Sequence, residues 1–388
     1  MLRTWMLSLL AVCLLGADAP PTELMVGQMA PKLAVQEFVK GEPVTKFEKG
    51  EVYVIEFWAT WCGPCVQSIP LLTELQHKFP KVKFIGIDVL ENDLDTVREF
   101  VAKQKAKMDY RVAIDKPGPM GEEVPGSMAK GWIEASYRQG IPATFVIDQT
   151  GRVAWIGHPF ELEKPLQRIV DGKWDLAAAA KKHAAEVIPV REKTILERKF
   201  AKAREAGGTP ADLVRVLDES FERYPPLQSE YGSLKIILLM GEPATRPDAV
   251  EYGKYLITEV HQENLVGLAD LAIAILNQAD GTPRKVHPEI GRLALLAVQT
   301  AQKVPGDREP EDNAGLADLM AQCYYALGDF PKAVATQRQA LKLAEKTHLE
   351  DDEDMLARMK RYDQAAAAAP KAAGIPKAAG TAKPTTRR

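Results

Sequence analysis

Apolar positions follow two different periods along the chain, and these periods divide it into a mixed first part and a helical second part. Residues 51–59, EVYVIEFWA, are rich in β-branched and aromatic side chains, which is typical of a buried strand. Residues 65–79 instead carry apolar side chains three and four positions apart, the spacing of one helix face. Those side chains are Ile69, Leu72, Leu75 and Phe79. A strand that leads directly into a helix is therefore the first predicted unit.

Similar signals predict further elements up to residue 172. The predicted elements are strands at 81–89 and 110–115, helices at 93–104 and 160–172, and a hairpin of 143–148 with 152–157. Residues 115–135, rich in Gly, Pro and Met, are interpreted either as the frame of a substrate groove or as a variable surface loop.

Beyond residue 175 the strand signals disappear and alanine becomes frequent, which predicts an all-helical region. Residues 175–208 are interpreted as helices that are joined near Pro189 and end at Gly207 and Gly208. Residues 230–240 and 248–262 are interpreted as a second helix pair.

A short internal repeat marks this helical region. The pentapeptide GLADL occurs at 267–271 and at 315–319, each time followed by a turn and a second helix. The later copy resembles a tetratricopeptide repeat in its small and aromatic packing positions. Those positions are Ala321, Tyr324, Gly328, Ala333 and Ala340. Such helix pairs stack into a solenoid with a concave face. The alternative is an irregular helical bundle.

The two ends are predicted to lie outside the folded domains. Arg3, the apolar run 5–15 and the small residues at 17–19 predict a secretory signal peptide, too short to span a membrane. A lipoprotein anchor at Cys13 is the alternative. Residues 366–388, basic and rich in Ala and Pro, predict a disordered tail.

Composition narrows the function only slightly. A chain of 388 residues suggests more than one domain. Its formal net charge of −3 gives no case for nucleic acid as the main partner.

The four cysteines carry the main chemical signal. Cys62 and Cys65 form a C-x-x-C pair between the first strand and helix, while Cys323 is interpreted as a packing residue. A disulfide that closes so short a loop adds little stability. A structural zinc site would need two more ligands at a suitable spacing. The pair therefore indicates redox chemistry without a metal or cofactor, and the helix N-terminus is expected to lower the pKa of the Cys62 thiol.

The motif FWATWCGPC, followed by GIPATFVIDQTGRVAWIGHP, resembles the thioredoxin superfamily and in particular its exported TlpA/ResA-like thiol–disulfide oxidoreductases. The resemblance covers residues 25–173. It implies an α/β thioredoxin-like fold, a central mixed sheet flanked by helices, with a lead-in hairpin at 32–47. It also implies that Cys62 is the nucleophile, that Cys65 is the resolving thiol, and that a cis bond before Pro142 faces them. The residues implied to contact the substrate are Trp61, Gly63, Pro64 and Ile141.

Glu56 shares one face of the predicted strand with Val54 and Trp58. The resemblance implies that this carboxylate takes the proton from Cys65, which burial would make feasible near neutral pH. The alternative is a solvated glutamate at a sheet edge. The cytochrome-maturation members of this branch carry a glutamate where this chain has Ser68, so the resemblance does not imply that specific role.

These interpretations divide the chain into a signal peptide (1–19), a thioredoxin-like domain (20–175), a tetratricopeptide-like helical domain (176–365) and a tail (366–388). They predict an exported reductase of protein disulfides in the periplasm or cell envelope. Its partners would be disulfide-containing proteins, a membrane-linked thiol donor and a protein bound by the repeats. The alternative is a redox-inactive scaffold that uses the thioredoxin-like domain only for binding.

Overall fold

The computed structural model describes residues 23–91, 93–116, 126–278 and 286–369. The chain forms two compact units, Met1–Arg191 and Glu192–Arg388. The predicted signal peptide lies outside the described residues, and so does the predicted tail beyond residue 369. The predicted domain bounds stay predictions. Within the described ranges, no helix combines the length and the apolar character that a membrane span requires.

A six-stranded mixed sheet forms the centre of the first unit. Its strands are β1 (Val35–Lys40), β2 (Tyr53–Trp58), β3 (Lys83–Asp88), β4 (Arg111–Asp115), β5 (Ala143–Ile147) and β6 (Val153–Gly157). The spatial order is β1-β4-β3-β2-β5-β6, in which β2, β3 and β4 are parallel and the other pairs are antiparallel. All six residues of the central strand β2 are buried, which explains its apolar composition. The predicted α/β class is confirmed.

Three helices cover one face of this sheet. They are α1 (Gly63–Lys78), α2 (Leu94–Gln104) and α3 (Glu163–Val170). Ile69 of α1, Val97 of α2 and Leu166 of α3 lie in a single buried core with Val54 and Trp58 of β2. We call this the α1 core. The helical face predicted from Ile69 onwards is confirmed.

Residues 126–136 pack against the opposite face of the sheet. Met128, Ala129 and Trp132 are buried there with Phe57 and other strand residues. The segment is helical because the carboxylate of Asp115 accepts hydrogen bonds from the backbone N–H groups of Met128 (2.8 Å) and Ala129 (3.0 Å). The surface-loop alternative is therefore wrong for these residues, while 117–125 lie outside the described ranges.

The lead-in hairpin predicted at 32–47 is wrong. Only Val35–Lys40 forms a strand, and it pairs antiparallel with β4 at the edge of the sheet. Gly41 ends it with a positive φ of 75°, and the returning residues contain Pro43, which has no backbone N–H to offer a neighbouring strand.

Nine further α-helices are described from residue 176 onwards. They are α4 (Leu176–Glu205), α5 (Pro210–Arg223), α6 (Gln228–Met240), α7 (Arg246–Tyr255), α8 (Leu265–Leu276), α9 (Pro288–Ala301), α10 (Pro310–Ala326), α11 (Phe330–Ala344) and α12 (Glu353–Ala368). The break predicted near Pro189 is wrong, because α4 continues through it. An internal proline costs about 3 kcal/mol. Beyond the proline, Leu196 is fully buried with Leu217 and Phe221, and this packing offsets that cost.

The helix–turn–helix predicted around residues 315–346 is confirmed as α10 and α11. Gly328 makes the turn with φ 78°, and the Asp329 side chain caps α11 by accepting from the N–H of Lys332. Ala321, Ala333 and Ala340 are fully buried. Assignment of this pair to the tetratricopeptide class stays a prediction. Cys323 is buried in α10, and burial raises its thiol pKa to about 12, which fits the packing role.

Asp318 joins the last three helices of the second unit. One of its oxygens, Oδ1, accepts from Gln337 Nε2 of α11 and from Arg358 Nε of α12, each at 2.8 Å. We expect Asp318→Ala to lower the free energy of unfolding of this unit by about 3 kcal/mol, since a buried ion pair that loses one partner leaves the other uncompensated. Urea unfolding followed by circular dichroism measures this.

Asp363→Ala is the matched control, because it removes an ion pair to Arg338 in which both side chains are at least half exposed. Such pairs contribute at most about 1 kcal/mol. If the two variants lost equal free energy of unfolding, the contacts of Asp318 with Gln337 and Arg358 would not behave as a buried ion pair.

Candidate active site

The C-x-x-C pair lies at the point where β2 passes into α1. Cys62 and Cys65 are disulfide-bonded, with their Cα atoms 5.3 Å apart. Cys62 is the N-cap of α1, and its Sγ accepts the N–H of Cys65 at 3.3 Å. Pro64 fits the first turn because its missing N–H is not needed there. The helix N-terminus therefore favours a thiolate at Cys62 once the disulfide is reduced.

The two sulfur positions differ in exposure. Cys62 keeps 6% of its surface accessible and Cys65 none. Gly63 and Pro64 between them are exposed. Both cysteines belong to the α1 core, and the small exposed part of Cys62 is the part of the pair that a reacting partner can reach.

The loop before Cys62 is anchored by residues that follow β3. Thr60 donates from its N–H (2.7 Å) and its hydroxyl (2.5 Å) to Oε1 of Glu91. The indole of Trp61 donates to the carbonyl of Leu90 at 3.3 Å. Trp61 is nevertheless 61% exposed and Leu90 48% exposed. These contacts hold two apolar side chains at the surface beside the disulfide.

Pro142 lies at the same end of the central strands as the C-x-x-C pair. The Ile141–Pro142 peptide bond is cis, which confirms that prediction. Because Ala143 of β5 pairs with Phe57 of β2, the cis bond lies beside the end of β2 from which the disulfide loop starts. Ile141 stays partly exposed. The structure thus brings the proline and the C-x-x-C loop to one end of two adjacent strands.

Glu56 is buried in the middle of the sheet. It pairs with Gly86 of β3 and Thr144 of β5, and 2% of its surface is accessible. Its Oε1 has no hydrogen-bond partner in the described part of the chain. Burial raises the pKa of the Glu56 carboxyl to about 8. The solvated-edge alternative is therefore wrong, and the group can exchange protons near neutral pH.

A second buried carboxyl group, Asp88, was missed by the sequence analysis. It ends β3, pairs with Trp58, and lies on the same face as Glu56 by strand alternation. Neither carboxyl oxygen has a partner among the residues described. Burial raises its pKa to about 8, and nearby Glu91 and Asp115 add to the effect. An aspartate that directly follows the apolar run FIGI was the available signal.

This chain has Ser68 at the position where the cytochrome-maturation members of the resembled branch carry a glutamate. Its buried hydroxyl donates to the carbonyl of Cys65 at 2.7 Å. A serine hydroxyl is not a base at neutral pH, so Ser68 cannot take the place of that glutamate. Across the described ranges, no three side chains of the metal-binding types are grouped as a metal site requires.

A redox disulfide at the N-terminus of the helix that follows the central strand, with a cis-proline beside it, defines a thioredoxin-like thiol–disulfide oxidoreductase. The family described as Redoxin matches residues 25–168. Protein FixW of Rhizobium leguminosarum is 33% identical over 160 residues, which cover 39% of this chain and 69% of that protein. The thiol-disulfide oxidoreductase ResA of Bacillus anthracis is 31% identical over 36% of this chain and 72% of its own.

One solved structure, a thiol-disulfide isomerase from Corynebacterium glutamicum, aligns at 25% identity and a TM-score of 0.30, over 36% of this chain and 96% of that chain. The family match and these sequence relatives show that the chain belongs to the redoxin family and is a thiol–disulfide oxidoreductase.

Proposed function

We propose that the protein is an exported reductase of protein disulfides, with Cys62 as nucleophile, Cys65 as resolving thiol and Glu56 as the base. The observation that carries the proposal is the position of Cys62 at the N-terminus of α1, where it is 6% exposed while Cys65 is fully buried. The Gly63-Pro64 pair, which resembles the reducing members of the superfamily, favours reduction over oxidation. Relatives named thiol-disulfide oxidoreductase ResA act in the same reaction class.

The proposed reaction has two steps. The Cys62 thiolate attacks one sulfur of a substrate disulfide, which forms a mixed disulfide and releases the other substrate sulfur as a thiolate. Cys65 then gives its thiol proton to the Glu56 carboxylate, and its sulfur attacks Cys62. The bond from Cys62 to the substrate breaks, and the second substrate thiolate leaves. Two electrons pass to the substrate, and Cys62–Cys65 becomes a disulfide.

The surface around the disulfide is suited to a polypeptide substrate. Trp61 and Leu90 are exposed apolar side chains held by backbone and carboxylate contacts, and Ile141 next to the cis bond is partly exposed. A rigid aromatic side chain loses little conformational entropy when a partner covers it. Trp61, Gly63, Pro64 and Ile141 are therefore proposed to contact the chain that carries the disulfide.

Three further parts of the proposal extend beyond the redox site. A thiol donor, proposed to be linked to the membrane, must return electrons to the Cys62–Cys65 disulfide after each cycle. The predicted signal peptide would place the enzyme in the periplasm or cell envelope. The helical unit would recruit a protein partner. A scaffold that only binds would need neither two thiols nor a buried carboxyl group on the same side of the sheet.

The reduction potential of the Cys62–Cys65 pair tests the direction of electron flow. Trp61 beside the pair and Trp58 in the α1 core should report the redox state by fluorescence in glutathione and dithiothreitol buffers. We expect a value near the thioredoxin end of the scale, about −270 mV. A value near about −120 mV would show an oxidant instead.

The double variant Cys62→Ser, Cys65→Ser is the control and should show no redox-dependent fluorescence. A protein whose pair forms no reversible disulfide at all would be the binding scaffold, and the enzyme proposal would then be abandoned.

A further inference from the structure

On one face of the sheet, five buried side chains carry polar atoms that lack partners among the residues that the structure describes. They are Glu56, Trp58, Asp88, Tyr110 and Thr144. Trp58 is two residues from Glu56 on β2, and Thr144 pairs directly with Glu56 from β5, so all three side chains are on one face. Buried polar atoms nearly always find a partner. A group of unpartnered donors around one carboxyl group therefore requires an explanation.

Tyr110 reaches this face from the residue just before β4. A Cβ on Gly86 would lie 3.0 Å from Cε2 of Tyr110 and 3.3 Å from Nε1 of Trp58. Gly86 is the direct β3 neighbour of Glu56. The missing side chain therefore lets the edges of two aromatic rings approach the sheet beside the carboxyl group, and only a glycine allows this approach.

The Tyr110 hydroxyl is electrostatically coupled to Glu56. Burial, and after it the charge of Glu56, raises the pKa of Tyr110 well above its usual value. The hydroxyl therefore stays protonated throughout the working pH range and keeps a proton that it can donate to a carboxylate.

We propose that Tyr110 is a positioning residue for the resolving step, whose hydroxyl donates a hydrogen bond to the Glu56 carboxylate once that group is ionised. In this disulfide-bonded structure the two groups are not hydrogen-bonded. The bond forms in the reduced enzyme, where Glu56 must be ionised to accept the Cys65 proton. The inference rests on the proposed role of Glu56 as the base.

Ionisation of Glu56 places a negative charge in an apolar interior. The side chains that α2 and α3 present to the α1 core are apolar, among them Val97 and Leu166. Within the described ranges, the buried titratable groups on this face are Tyr110, Asp88 of β3, Cys65 of α1 and its N-cap Cys62. Cys62 is bonded to the substrate during the resolving step, and Cys65 is the proton source. Asp88, with its pKa raised to about 8, loses its own proton over the same pH range in which Glu56 ionises. Tyr110 is therefore the titratable group there that can stabilise the carboxylate by donation.

The test is an infrared titration of the reduced full-length protein. Subtraction of the Glu56→Gln spectrum isolates the carbonyl band of protonated Glu56, whose loss with rising pH gives its pKa directly. We expect Tyr110→Phe to raise this midpoint by about one to two pH units, the effect of losing a hydrogen bond to a charged acceptor. The rate of partner release from the mixed disulfide at pH 7 should fall about ten- to hundredfold, in proportion to the ionised fraction.

Tyr53→Phe is the matched control. Tyr53 is a buried tyrosine of β2 on the opposite face, and its hydroxyl accepts the N–H of Glu48. This variant should leave the Glu56 midpoint unchanged. A second variant, Gly86→Ala, places a methyl group against the Tyr110 ring and should shift the midpoint in the same direction as Tyr110→Phe.

A midpoint that stays unchanged or falls in Tyr110→Phe overturns the proposal, because a donor to the ionised form can only lower the pKa. The proposed function fails in a different way. If Glu56→Gln releases the partner at the normal rate, Glu56 is not the base, whereas a shift of its infrared midpoint in Tyr110→Phe would still establish the hydrogen bond.

Discussion

Cys65→Ser is expected to stop turnover by several orders of magnitude, the scale seen when a reacting group is deleted, and to leave Cys62 covalently bound to its substrate. Cys62 keeps its place at the N-terminus of α1, with 6% of its surface exposed, so the first attack still occurs. The mixed disulfide then persists because no second thiol is placed to displace the substrate. Non-reducing electrophoresis of the mature protein with a disulfide-containing test protein detects the trapped species.

Cys62→Ser is the matched variant and should trap nothing, since Cys65 has no accessible surface. Cys323 does not confuse the result, because it is buried and burial raises its thiol pKa to about 12. Trapping by Cys62→Ser but not by Cys65→Ser would reverse the roles assigned to the two cysteines.

Glu56→Gln is expected to stabilise the disulfide form at alkaline pH. Burial raises the pKa of Glu56 from 4.5 to about 8, so the folded protein binds a proton that the unfolded chain releases. This contribution to stability is complete below pH 4.5 and is lost as the pH rises through about 8. At about 1.4 kcal/mol per pKa unit the loss is on the order of 5 kcal/mol, an upper bound on the gain from glutamine at pH 9.

Urea unfolding at pH 5, 7 and 9 measures this effect. The wild-type protein should lose stability steadily over this range, and Glu56→Gln should lose less. Some pH dependence should remain in the variant, because Asp88 has its pKa raised to about 8 by the same kind of burial. Glu99→Gln on α2, where the side chain is 70% exposed, is the control and should follow the wild type. If the free energy of unfolding changed with pH in the same way for Glu56→Gln and the wild type, Glu56 would be ionised and solvated.

The elements that carry the redox site were predictable because their signals are local. A β-branched and aromatic run predicted β2, and a spacing of three and four predicted the buried face of α1. Cys62 was placed at a helix N-terminus by the change from one period to the other. The cis bond before Pro142 followed from a resemblance in the surrounding motif, and the structure confirms it.

The errors arose where distant contacts outweigh local preference. Residues 126–136 resemble a loop in composition, yet Asp115 caps them and Trp132 fills the core. Pro189 predicts a break, yet the packing of Leu196 beyond it keeps α4 continuous. The predicted second strand of the lead-in hairpin is absent from the described structure, because β1 pairs with β4 instead.

The sequence by itself determined the reacting pair, the strand and helix that hold it, and the helical character of the second part, because each depends on residues close together in the chain. Only the tertiary structure decided which carboxyl groups have altered acidity. Glu56 and Asp88 differ from surface carboxylates through burial by other strands and helices, and Tyr110 lies beside Glu56 because Gly86 leaves room for its ring. Desolvation depends on everything that surrounds a group, so no single stretch of sequence encodes it.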